Sequence, residues 1–166
     1  PKELAVAIHN YVRDEVAFGF TRKHDKATAE YTLNQKIAHC IPKTELFVRM
    51  LKEAGFGDAT MVSVPIGGDV LRYLGSGDSS PYPGRLPHTF TEVSVDGTKC
   101  RLDSYIVDPP LFLSAKERLV QSNRVAGFVI HSEGACEWDG SGDSFAQYVA
   151  STHTLIWKHP WILTWR

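Results

Sequence analysis

His88-Thr89-Phe90-Thr91-Glu92-Val93-Ser94-Val95-Asp96-Gly97-Thr98-Lys99-Cys100-Arg101-Leu102-Asp103 alternates in polarity on both sides of Asp96-Gly97. An Asp-Gly pair between two such runs is among the strongest short-range signals for a hairpin. The pattern predicts two antiparallel strands, His88 to Val95 and Thr98 to Ser104. A two-residue turn fixes the register. Val95 then faces Thr98, Glu92 faces Arg101 as an expected cross-strand ion pair, and Phe90 faces Asp103. His88 lies two positions beyond Phe90 on the same face, so His88 and Asp103 are diagonal neighbours. Such neighbours are roughly 7–8 Å apart at Cα, a gap that side chains bridge. By alternation His88, Phe90, Glu92, Lys99, Arg101 and Asp103 share one face. Thr91, Val93, Val95, Cys100 and Leu102 share the other, which reads as packing, with Cys100 as a small buried hydrophobe.

Outward from the hairpin, Glu3 to Val16 places Leu4, Ile8, Tyr11, Val12 and Val16 at helical spacing. Thr21 to Glu30 is polar and reads as an exposed loop with a solvated basic cluster, Arg22, Lys23 and Lys26. A second helix fits Cys40 to Ala54: Pro42 is tolerated only in a first turn, and Gly55 is a natural stop. Cys40, Thr44, Phe47, Leu51 and Ala54 share its inner face, flanked by Leu46 and Met50. Ala59 to Ile66 reads as a strand. The Gly- and Pro-rich stretch from Gly67 to Pro87 is long for a loop in a compact domain. It either lines a cleft, through Arg72, Tyr73, Tyr82 or Arg85, or is a surface insertion. Further on, Ser114 to Gln121 reads as a short helix capped by Ser114, and Arg124 to Ile130 as a strand. Trp138, Tyr148, Trp157, Trp161 and Trp165 read as core aromatics.

The chain has 166 residues, 43% of them apolar and 22% charged, with a net charge of −1. That size and balance predict one globular domain over 1–166, with a core over about 1–110 and an aromatic-rich C-terminal extension over 111–166. Neutral charge argues against a nucleic-acid binder. No apolar run approaches the roughly 20 residues of a membrane span, so no membrane partner is expected. Three cysteines, Cys40, Cys100 and Cys136, without CxxC spacing suit a reducing compartment. No signal-peptide pattern is present, and the first residue is Pro1, as in a trimmed chain. The expected location is the cytoplasm. Seven scattered histidines without HExxH spacing, and no acidic calcium-type loop, predict no metal and no cofactor.

A thiol becomes a strong nucleophile when it ionises, and a helix N-terminus and a neighbouring imidazolium both favour the thiolate. Cys40 has the first by position. His88, oriented by Asp103, supplies the second. The three form a Cys-His-Asp set. His39 adjoins Cys40 but diverges from it at a helix start, so it is expected to line the site, as are Phe90 and Tyr82. Taken singly, each residue also has an ordinary structural reading.

Three stretches resemble the transglutaminase-like superfamily of papain-type thiol enzymes. Ala38-His39-Cys40-Ile41-Pro42-Lys43-Thr44-Glu45-Leu46-Phe47 through Ala54-Gly55-Phe56 is similar to its nucleophile helix. Pro87-His88-Thr89-Phe90-Thr91-Glu92-Val93-Ser94-Val95-Asp96-Gly97 is similar to its histidine strand, and Arg101-Leu102-Asp103 to its aspartate strand. The order Cys, His, Asp also fits. Ala38 stands where the family usually has Gly, Phe90 where Trp is common, and Lys99 where a second aromatic is common, which marks a divergent member. The likeness runs from the first helix to about Pro109.

The resemblance implies an α+β fold, a papain/transglutaminase-like core with the nucleophile helix packed against an antiparallel β-sheet. It implies acyl transfer or hydrolysis of an amide or ester through a Cys40 thioester, on a peptide or small-molecule acyl substrate. The oxyanion is expected to be held by the Cys40 N–H and a donor from Gln35 or Asn34. Two other readings stay open: an isomerase, cyclase or lyase using the same three residues, and a catalytically silent interaction module.

Overall fold

The computed structural model describes residues 1–67, 85–127 and 130–147. The first helix is α1 (Lys2–Glu15), with Ala5, Ile8, His9 and Val12 buried. Leu4, expected inward, is 48% exposed. A stripe through Ala5, Ile8 and Val12 leaves position 4 at its margin, and His9 takes the inner place.

Two short strands, β1 (Ala17–Phe18) and β2 (Ile37–Ala38), pair in parallel. Between them the expected loop contains a 3-10 turn (His24–Lys26) and the helix α2 (Ala29–Gln35). Thr28 starts α2 by accepting from the N–H of Tyr31, and Lys36 stops it in a left-handed conformation with φ 57°. Arg22, Lys23 and Lys26 are exposed.

Helix α3 (Cys40–Glu53) begins at Cys40 with Pro42 inside its first turn, where a missing N–H is harmless. It buries Thr44, Leu46, Phe47, Leu51 and also Lys43, a residue type almost never buried without partners. The Lys43 ammonium donates to the carbonyls of Val16 and Ile106, the latter at 3.1 Å. It thereby ties the exit of α1 and the chain after Asp103 to the first turn of α3. Burial holds its pKa down to about 7.

Three strands, β3 (Thr60–Gly67), β4 (Arg85–Val95) and β5 (Thr98–Leu102), form an antiparallel sheet in that order. Asp96 and Gly97 have φ values of 48° and 80°, both positive as a type I′ turn requires. The register matches the expectation from Val95 opposite Thr98 through Thr91 opposite Leu102. β4 starts earlier than His88, because Arg85 already pairs with Gly67. The rest of the expected loop, including Arg72, Tyr73 and Tyr82, lies outside the described residues.

The expected Glu92–Arg101 ion pair is corrected. Glu92 pairs with Lys99 at 2.7 Å, and Arg101 turns to Asp143. Asp143 also accepts the Arg101 backbone N–H at 2.8 Å, so one carboxylate holds both ends of the residue. This contact brings a later segment alongside β5, where Ser144 bridges Leu102 in parallel.

Helix α4 (Pro109–Gln121) starts five residues before the expected Ser114. Asp108 caps it by accepting from the Leu111 N–H, and Pro109 and Pro110 occupy the first turn. In place of one strand over Arg124 to Ile130 there are two short antiparallel ones, β6 (Ala126–Gly127) and β7 (Ile130–His131). The main core joins α1, α3, β4 and β5 with Tyr105, Ile106 and Trp138. A smaller cluster joins Val107, Phe112, Leu119, Ile130, Cys136 and Ala146. The expected core places of Tyr148, Trp157, Trp161 and Trp165 lie outside the described residues. The fold is α+β, with α3 packed on β4. Among the described residues no helix is long and apolar enough to cross a membrane.

Candidate active site

Cys40 is the first residue of α3, preceded by extended His39. At a helix start the backbone N–H groups lack intrahelical partners and carry the positive end of the dipole. The thiol is half-buried. The ring of His88 and the N–H and hydroxyl of Thr89 act on it and favour its ionised form. His88 is buried on β4, and its Nε2 lies 2.9 Å from Oδ2 of Asp103. With Nε2 committed to the carboxylate, Nδ1 is the nitrogen left for the thiol. Asp103, fully buried, follows directly after β5, and its Oδ1 accepts the backbone N–H of Ala146 at 2.6 Å. Cys40, His88 and Asp103 therefore form one array, with a hydrogen bond between the last two and an electrostatic coupling between the first two.

The electrostatics follow from these contacts. Burial alone would push the Cys40 thiol up. The His88 hydrogen bond and charge, with the two Thr89 donors, outweigh it and hold the thiol below its ordinary value. Burial alone would push His88 down. The hydrogen bonds and charges of Asp103 and Cys40 outweigh that and raise it to about 9. Both directions favour a thiolate–imidazolium pair. The other thiols go the opposite way: burial pushes Cys100 and Cys136 up.

The other expected site residues are placed differently from one another. His39 is buried, with Nε2 2.7 Å from Asp25 and its ring stacked under exposed Phe20 at 4.8 Å. Phe90 is fully buried and meets Phe145 edge-on at 5.6 Å. Its ring is closed to solvent and packs on Phe145. Asn34 and Gln35 are exposed on the last turn of α2. Tyr82 lies outside the described residues. A cleft of about 430 Å³ between α4 and β7, lined by Phe18, Val107, Leu111, Phe112, Leu119 and Ile130, contains none of the three array residues. Among the described residues no group of three or more His, Cys, Asp or Glu side chains is arranged to hold a metal.

Sequence reasoning missed two supports of the array. Thr89 was legible: alternation puts it on the face with Thr91 and Val93, toward α3. Ala146 was not, because it acts through a backbone N–H that no residue type announces.

A family model described as Transglutaminase-like superfamily matches residues 1–99, a span that carries Cys40 and His88 and stops short of Asp103. No curated protein and no solved structure matches the chain.

Proposed function

The chain belongs to the transglutaminase-like superfamily, and from that premise we propose that it is a cysteine-dependent enzyme working by acyl transfer or hydrolysis on an amide or ester. The observation that supports this most is the array itself: a half-buried thiol at a helix start, coupled to a buried imidazole that is bonded to a buried carboxylate. In this reading the Cys40 thiolate attacks the substrate carbonyl carbon, and the π electrons move to oxygen. The oxyanion takes the free N–H of Cys40 at the start of α3, with Gln35 or Asn34 as candidates for a second donor. Collapse expels the amine or alcohol, which takes its proton from His88, and leaves a Cys40 thioester. His88, now neutral, removes a proton from water or an amine that attacks the thioester. Thiolate is released and the acyl product leaves. Asp103 keeps the ring oriented and stabilises its charged form throughout.

The test is acyl trapping. Wild type and Cys40→Ser are exposed to an activated ester such as p-nitrophenyl acetate, and the adduct is located by peptide mass spectrometry. The expected result is an acyl group on Cys40, formed with a burst of nitrophenol and lost on addition of a nucleophile. Nitrophenol release that is the same in Cys40→Ser, with no adduct on Cys40, overturns the proposal.

A further inference from the structure

Four buried hydroxyls run in a line away from Cys40. The Thr89 hydroxyl favours the ionised thiol, and its partner Thr44 lies one turn along α3 from Cys40. The oxygens of Thr89 and Thr44 are 3.2 Å apart. Tyr105 donates its O–H to Thr44 at 2.9 Å, and the Tyr105 oxygen lies 2.8 Å from that of Thr91. The line joins two elements and a turn: Thr44 is on α3, Thr89 and Thr91 are on β4, and Tyr105 is in the turn after Asp103. All four residues are buried.

Each hydroxyl has one proton to donate. Because Tyr105 spends its proton on Thr44, its oxygen takes the proton of Thr91. Thr44, already accepting, is free to donate to Thr89, and Thr89 is then free to donate to sulfur. When the sulfur is a thiolate, which can only accept, one direction satisfies every link, and it points all four O–H dipoles at Cys40. Hydrogen bonds chained in a low-dielectric interior strengthen one another. Burial also raises the Tyr105 phenol above its ordinary value, so it stays a donor across the working range.

We propose that this hydroxyl line is a second, His88-independent support for the Cys40 thiolate, with Thr89 as the terminal donor and Tyr105 as the positioning residue that sets its direction. The inference rests on the reading of Cys40 as the nucleophile. It assigns Thr44, Thr89, Thr91 and Tyr105 to a function that the Cys-His-Asp set does not include.

The experiment is the pH profile of Cys40 alkylation by iodoacetamide in wild type, Thr89→Val, Thr89→Ser and Tyr105→Phe. Thr89→Val keeps the shape and removes the donor, and is expected to move the midpoint up by about one pH unit. That is about a tenfold loss of thiolate at a fixed pH below both midpoints. Thr89→Ser restores the hydroxyl and is expected to return the midpoint to that of wild type. Tyr105→Phe is expected to shift it in the same direction by less, and it decides the question if Thr89→Val does not fold. A depressed wild-type midpoint that Thr89→Val, or failing that Tyr105→Phe, leaves in place overturns this inference alone. A wild-type midpoint in the ordinary thiol range overturns the nucleophile reading and this one together.

Discussion

The backbone N–H of Ala146 donates to Oδ1 of Asp103 at 2.6 Å, while Oδ2 faces the ring of His88. An amide in place of this carboxylate has only one acceptor oxygen. Asp103→Asn therefore satisfies either Ala146 or the ring N–H of His88, not both. Turnover is expected to fall by about 10³–10⁴-fold. Kinetics on a chromogenic ester, with near-UV circular dichroism to verify the fold, check this.

Under the proposed chemistry the pH dependence of turnover is expected to have two limbs. Cys40 is held below its ordinary thiol value, and His88 is raised to about 9. Turnover rises as Cys40 ionises, then falls as His88 loses its proton near pH 9. Alkylation needs no acid, so it rises on the first limb and stays high. His88→Ala is expected to move the alkylation limb up by about one unit or more. Parallel turnover and iodoacetamide profiles test both limbs.

Acid sensitivity is expected to come in part from His9. Its Nε2 lies 2.7 Å from the Ser104 hydroxyl in a fully buried site, and burial holds the ring down to about 4. The folded chain thus binds fewer protons than the unfolded one between that value and the ordinary 6.5. Stability is complete above this window and lost as pH falls through it, by about 3 kcal/mol in full. His9→Gln keeps a polar partner for Ser104 without the titration. Urea denaturation at pH 7 and pH 5 is expected to show the smaller drop in the variant.

Lys43 has the same sign at the other end of the scale. Its folded value of about 7 lies below the ordinary 10.5, so the cost of burying its charge is greatest below pH 7 and fades as pH rises through the window. Lys43→Met removes this dependence. It also leaves the carbonyls of Val16 and Ile106 without their donor, at a cost of about 1–3 kcal/mol. The stability of wild type minus that of the variant is expected to grow from pH 7 to pH 9.

Gly134 packs on the strand-like segment that carries Ala146. A Cβ there would lie 2.2 Å from the Ala146 carbonyl oxygen. Gly134→Ala is expected to destabilise the protein by about 1–3 kcal/mol and to reduce turnover through Asp103. Gly57→Ala, where nothing lies within 4 Å of the added carbon, is the control. Thermal melts paired with activity assays separate the two positions.

The elements that periodicity and turn chemistry control were legible: α1, α3, the β4–β5 hairpin and its register. The position of Cys40 at a helix start and of His88 beside Asp103 was legible for the same reason. What escaped notice depended on partners remote in sequence. Arg101 abandons Glu92 because Asp143 offers it two bonds. Lys43 reads as a surface residue until two carbonyls close over it. Helix α2 spans seven residues and buries only Thr32, so it leaves no apolar stripe to detect. Alternation sets Phe90 on the face of His88, but does not reveal that Phe145, far along the chain, meets its ring edge-on.

The Asp103–Ala146 bond spans 43 residues of sequence. A nascent chain emerges N-terminus first, so Cys40 and His88 are in solution well before Ala146 is made. Until it arrives, the carboxylate lacks one of its two donors and the imidazole is less firmly aimed. Under the proposed chemistry the aim of the imidazole depends on a contact made only when the segment around Ala146 reaches the end of β5.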